Sequence, residues 1–217
     1  MHRTEFMPRP RGWKLFLVLA ALLCCVAALA WLTGPDAVEG SRRAIRATAR
    51  TSFLLFLAAF TASAFAALLP GPFTRAVLRE RRVIGLAFAF SHLLHGLAIY
   101  ALGQLNPAFW PARSALGNVP GSVGFLFILL LAATSYRPLA IRLGRTAWRR
   151  LHTAGLWIIA AVFAYSYLKR VPIDCWYAAP SALLFTAIVI RVIGKRHQAG
   201  KRAGHAAAPR RAPLAQV

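Results

Sequence analysis

The 217-residue chain is 59% hydrophobic, has a positive mean hydropathy, and carries 27 Lys and Arg against five Asp and Glu. Its apolar residues come in blocks of about twenty, the length a helix needs to cross roughly 30 Å of hydrocarbon, and a soluble domain would alternate polar and apolar positions instead. The formal charge of +22 would suggest nucleic acid in a soluble protein, but no basic module interleaved with aromatics is present, so no nucleic-acid partner is expected.

Six apolar blocks follow in chain order, at 13–33, 51–69, 83–105, 119–135, 151–168 and 174–193. Only helices or closed barrels satisfy backbone polar groups in lipid, and continuous runs of this length are helical. The fold class expected is all-α, a polytopic bundle of six transmembrane helices. It divides into a short N-terminal segment (1–12), a membrane domain (13–194) and a tail (195–217). The first block contains Ala28-Leu29-Ala30, which would suit cleavage of a leader, but its apolar run is long and a retained span is expected. Cys24 and Cys25 read there as small buried hydrophobes. Between the first two blocks, residues 35–50 suit either a short amphipathic surface helix or a plain loop. The tail is rich in Ala, Gly, Pro and basic residues, includes His197 and His205, and should be disordered.

Charge fixes the expected orientation. The connections at 34–50, 106–118 and 169–173 carry seven Lys and Arg, and the opposite side carries the other twenty. That asymmetry is the positive-inside signal, so both termini should face the cytoplasm of a bacterial cell, with anionic membrane lipid against the basic loops.

The acidic residues are Glu5, Asp36, Glu39, Glu80 and Asp174, and none lies in the interior of an apolar block. Carboxylate relays, the usual machinery of pumps and ion-coupled transporters, are therefore missing. There is no repeat between the halves and no Gly-rich phosphate loop, so a nucleotide- or flavin-binding reductase domain belongs to another chain. Apart from Lys14 and Arg191 near block ends, the ionisable groups that stand out in the apolar blocks are imidazoles: His92 and His95 in the third, and His152 at the start of the fifth. Imidazole is a preferred ligand of haem iron, and bundles place such ligands on facing helices. The third and fifth spans run in the same direction and can present ligands to one slot.

Two stretches carry a resemblance. RRVIGLAFAFSHLLHGLAIY (81–100) resembles the third-helix signature of the ferric reductase-like transmembrane domain, with Leu94-His95 and Tyr100 on its Leu-His and Tyr positions. LAATSYRPLAIRLGRTAWRRLH (131–152) is similar to its second signature: Thr-Ser closing one helix, a basic Leu-Gly-Arg loop, then Trp and Leu-His opening the next. The resemblance runs from about residue 36 to residue 191, and within the family it is nearest to haem-binding membrane subunits that serve a periplasmic methionine-sulfoxide reductase. It implies an inner-membrane electron-transfer subunit carrying b-type haem, one or two, on His95 and His152. Electrons would come from a reduced flavin or a quinol, through a flavin reductase or directly, and would pass to a periplasmic acceptor. It implies no catalytic acid or base on this chain.

The sequence departs from the family at Tyr165, thirteen residues after His152, where a second histidine of the fifth span is usual; thirteen residues before His95 stands Arg82. Three readings follow: Tyr165 as an axial tyrosinate, His92 joining His152 in an oblique site, or loss of one or both haems. The last would leave a membrane scaffold of the family fold. Arg81, Arg82, Arg149 and Arg150 would suit haem propionates or the phosphate of an FMN, although positive-inside topology accounts for them without a cofactor. Trp148 reads as an interface anchor.

Overall fold

The computed structural model describes residues 10–207. In order, the helices are α1 (Pro10–Leu32), α2 (Ala37–Leu68), α3 (Pro72–Leu105), α4 (Ala115–Ala133), α5 (Arg137–Leu143), α6 (Arg145–Leu168) and α7 (Ala178–Ala207), with a 3-10 turn at Cys175–Tyr177 before α7. Among the described residues six helices are long and apolar enough to cross a membrane, all but the seven-residue α5. The end of the bundle where α3 and α6 begin is called the basic end below.

Residues 35–50 form neither a separate surface helix nor a loop; from Ala37 they are the first turns of α2. The reason is local. Asp36 caps the helix, its Oδ1 accepting from the Glu39 backbone N–H at 2.8 Å. Glu39 then pairs with Arg42 and Arg43 one turn on, at 3.8 and 3.9 Å, and with Arg46. At 32 residues α2 is about 48 Å long, more than a roughly 30 Å hydrocarbon layer, so its charged turns project beyond the apolar slab. α3 is similarly long. It opens on Pro72 directly after Gly71, and the Thr74 hydroxyl accepts from the Gly71 N–H at 3.0 Å.

α2 is the axis of the molecule. It packs along most of α3 and against α7 and α1, while α4 packs on α6. Its aromatic face forms the core: the Phe56 ring lies 5.1 Å from Phe60, 5.6 Å from Phe88 and 5.3 Å from Phe163, and Phe53 meets Phe163 and Tyr167. α6 reaches α2 and α3 mainly through these long rings rather than by close backbone approach. The α4–α6 contact is closer, because Gly155 lets Leu131 and Phe127 lie against the α6 backbone.

Cys24 and Cys25 are exposed rather than buried, for lipid supplies the apolar surroundings that protein would supply in water. α5 is a short basic helix, ended by Gly144 in the left-handed region (φ 78°), which turns the chain into α6. α7 continues past residue 194 to Ala207, so His197 and His205 are helical; residues 1–9 and 208–217 lie outside the described part.

Candidate functional site

Because α3 and α6 are held apart by aromatic side chains, the space between them on the far side of the core from the basic end forms a cavity of about 410 Å³. That volume is within the range of cofactor pockets, about 300–1,000 Å³. The α3 wall presents His92, His95 and Ile99, the α2 wall Ile45, Arg46 and Ala49, the α4 wall Phe125 and Ile128, and the α6 wall Val162, Phe163 and Tyr165.

His95 is held by α2. Its Nδ1 lies 3.1 Å from the carbonyl oxygen of Ile45 and 3.3 Å from Thr48 Oγ1. A carbonyl can only accept, so Nδ1 carries the proton and Nε2 keeps its lone pair. A backbone carbonyl fixing one ring nitrogen so that the other can bind a metal is the usual support of an iron- or zinc-binding histidine. Below His95, hydroxyls tie α2 to α3: Ser91 Oγ lies 2.9 Å from Thr51 Oγ1, 3.0 Å from Ser52 Oγ and 3.3 Å from the Thr48 carbonyl. Sequence reading passed over this seam. Its signal was the spacing Thr48-Thr51-Ser52 at i, i+3, i+4, matched by Ser91 and His95 at i, i+4.

His92 sits one turn nearer the basic end. Its ring is 5.1 Å from that of His95, 4.5 Å from Phe125 and 5.8 Å from Phe88. Its Nδ1 is buried without a hydrogen-bond partner, which costs free energy unless a ligand supplies one. The two histidines share a helix and a side of the cavity. The α6 residues facing them include Val162, Phe163, Tyr165 and Ser166, and among the described residues no third imidazole lines the cavity. Tyr165 does line it, half-exposed, with the Lys169 ammonium 4.6 Å above its ring.

His152 lies elsewhere. Thirteen residues of helix separate it from Tyr165, about 20 Å of rise toward the basic end. Its Nε2 is 3.0 Å from Thr134 Oγ1, and Trp148 stacks on its ring at 4.2 Å and 30° while donating from Nε1 to the Thr134 carbonyl at 3.0 Å. The three residues clasp the end of α4 to the start of α6. Arg82 is exposed and lines a small pocket with Gly12, Trp13 and Phe16 of α1. Arg150 is exposed at the start of α6, and neither arginine reaches the histidine cavity. Among the described residues the buried arginine is Arg191 of α7, bonded to the Phe60 carbonyl with its guanidinium 4.3 Å over the Phe60 ring. Arg81 Nε donates to the neighbouring Ala59 carbonyl at 2.8 Å.

The family model of the ferric reductase like transmembrane component matches residues 44–165 of this chain. The chain belongs to that family. Its matched segment begins beside Ile45 and ends on Tyr165, so it spans both cavity histidines, the α2 residues that hold His95, and the His152 clasp. A curated relative from Caulobacter vibrioides, the protein-methionine-sulfoxide reductase heme-binding subunit MsrQ, is 31% identical over 154 residues, covering 67% of this chain and 72% of the relative. No solved structure matches the chain. Within the ferric reductase-like fold, the cavity donor set is two imidazoles on one helix and a phenol on another, enclosed by aromatic rings and rimmed by arginines.

Proposed function

We propose that this chain is a membrane electron-transfer subunit that holds b-type haem in the cavity between α3 and α6, where His95 would hold the iron through Nε2. The observation that carries the reading is the fixed tautomer of His95, set by the Ile45 carbonyl, at the wall of an aromatic-lined cavity inside the bundle. The donor set fits the group: an oriented imidazole, a second buried imidazole nitrogen without a partner, flat apolar walls, and Arg46 and Arg50 on the α2 side to meet carboxylates. Bound there, haem supplies a one-electron carrier within the bilayer. The chain's own residues hold and orient it, exclude water through Phe125, Phe163 and Ile128, and set its potential through the bond behind His95.

The two cavity histidines lie on one side and cannot grip opposite faces of one ring, so Tyr165 is the candidate on the α6 side. His152 would serve a second haem at the basic end only by giving up Thr134. Electrons would enter at the basic, cytoplasmic end, from a flavin or quinol. Arg81, Arg82, Arg149 and Arg150 stand on the first turns of α3 and α6 there and suit an FMN phosphate. They would leave at the opposite, periplasmic end to a soluble acceptor, for which the relative named above suggests a methionine-sulfoxide reductase catalytic subunit.

The test is the visible spectrum and pyridine haemochrome of the purified protein. Haem should be present; His95→Ala should abolish or shift its bands, and an unchanged spectrum would refute the ligand. The haem-to-protein ratio in His152→Ala decides between one site and two. The second reading is a family-fold scaffold without cofactor, favoured by the absence of any α6 histidine from the cavity wall, and a colourless protein would establish it.

A further inference from the structure

The end of the bundle onto which the histidine cavity opens carries only seven of the 27 Lys and Arg. Six of those seven line the cavity: Arg42, Arg46, Arg50, Arg113, Lys169 and Arg170. Topology does not account for them, because the positive-inside rule needs basic residues at the other end and is best served by none here. Glu39 offsets part of the charge on the first turns of α2 through its pairs with Arg42, Arg43 and Arg46. Arg113, Lys169 and Arg170 have no carboxylate within ion-pair distance among the described residues.

These three cations are exposed, and they come from separate places, the connection between α3 and α4 and the end of α6. Each is fixed by an aromatic face rather than by an acid. Arg113 lies 4.7 Å over Phe109 and donates to Asn118 at 3.0 Å, Lys169 lies 4.6 Å over Tyr165, and Arg170 lies 5.7 Å over Tyr177. A ring face holds a cation in place without cancelling its charge. A site for a small anion would converge its donors and shield them from water. Exposed cations spread around a mouth instead produce a field that steers and orients a large partner. Lipid headgroups are the weaker fit, since the charges ring the cavity opening.

We infer that Arg113, Lys169 and Arg170 form an electrostatic docking ring for the acidic face of a soluble protein. The inference rests on the reading of the cavity as an electron-transfer site, and it names what that site's acceptor presents. Its test needs no haem. The full chain in phosphatidylcholine nanodiscs, captured through its C-terminus so that the basic end faces the sensor, is offered plastocyanin, a small acidic redox protein, and the association rate is followed by biolayer interferometry. The triple variant Arg113→Glu/Lys169→Glu/Arg170→Glu should slow association by about tenfold or more at low salt, an advantage that should vanish near 0.5 M salt, where the screening length is a few ångströms. The corresponding glutamine triple should fall between the two. Arg142→Glu/Arg145→Glu, at the basic end, should change the rate less than about twofold, because field strength decays with distance from the ring. An unchanged rate in the triple variant overturns the inference, as does an equal loss in the basic-end pair. In nanodiscs that also contain phosphatidylglycerol, its enrichment around the wild type, lost in the triple variant while plastocyanin association is unaffected, also overturns it and assigns the cations to lipid. A colourless protein that still shows ring-dependent association would fail the haem reading alone.

Discussion

Thr48→Val tests how α2 controls His95. The His95 Nδ1–H is shared between the Ile45 carbonyl at 3.1 Å and Thr48 Oγ1 at 3.3 Å, and the Thr48 hydroxyl proton is already directed to the Ala44 carbonyl at 2.7 Å. Thr48 therefore accepts from His95, as the minor partner. Valine keeps the shape and removes only that acceptor, so the loss is near the low end of a hydrogen bond's net worth, about 0.5 kcal/mol. The sign follows from charge. An acceptor behind an axial imidazole makes it more electron-rich and favours ferric over ferrous iron, so removing part of it should raise the midpoint potential. With 59 mV per tenfold for a one-electron couple, about 0.5 kcal/mol sets an upper limit of roughly 20 mV, reached only if the bond is made in the ferric state alone. Potentiometric titration of the visible bands measures this, and Thr48→Ser should leave the potential in place. A fall in potential would mean that Thr48 donates to His95, and the tautomer assigned above would be wrong.

Ser91→Ala removes three contacts across the α2–α3 seam. Interhelical side-chain bonds in a bilayer average about 0.6 kcal/mol, so the variant should lose about 1–2 kcal/mol in denaturant titration in detergent micelles. Gly155→Ala would drive a methyl into Leu131 and against Phe127 and should cost about 1–3 kcal/mol by the same assay; pairing it with Leu131→Ala should recover part of the loss if that contact is the cause. Arg191→Ala leaves a hole beside Phe60 and Trp157 and should cost about 2–4 kcal/mol, whereas Arg191→Met fills it without a charge to desolvate and should lie within about 1 kcal/mol of wild type. Equal losses for the Arg191 pair in thermal unfolding would show that the guanidinium's bond to Phe60, not its volume, is what matters.

The spans were legible because each is set by its own composition. The apolar blocks at 13–33, 83–105 and 151–168 are the interiors of α1, α3 and α6, and their ends shift only where charged turns continue a helix beyond the lipid. Residues 37–50 of α2 show why such turns are hard to read. Arginines there look like loop by hydropathy, but the Asp36 cap and the Glu39 pairs extend the helix, and only small residues such as Gly40, Ser41 and Ala44 mark its buried face. His92, His95 and Tyr165 stood out as rare groups in apolar runs, and the structure brings all three to one cavity. His152 stood out by the same signal and lies elsewhere, because a motif fixes position along a helix, whereas sharing a site depends on depth. The depth difference of about 20 Å follows from helical rise alone.

What no single segment could show is the division of labour around His95. The imidazole comes from α3, but the atoms that decide which nitrogen is available belong to α2, some 47 and 50 residues earlier in the chain. One of them is a backbone carbonyl, which any residue at position 45 would provide. It can serve because α2 and α3 approach closely, and that approach depends on Ser91, Thr51 and Ser52 meeting where larger side chains would separate the helices. The order of dependence is thus small hydroxyl residues, then helix proximity, then tautomer and, on the proposed reading, ligand. Ser91→Leu should accordingly disturb His95 more than Thr48→Val does, because leucine would part the helices and press on Thr48, whose carbonyl lies 3.3 Å from Ser91 Oγ. A Ser91→Leu protein that kept the wild-type haem spectrum and potential would show that the seam and the ligand are independent.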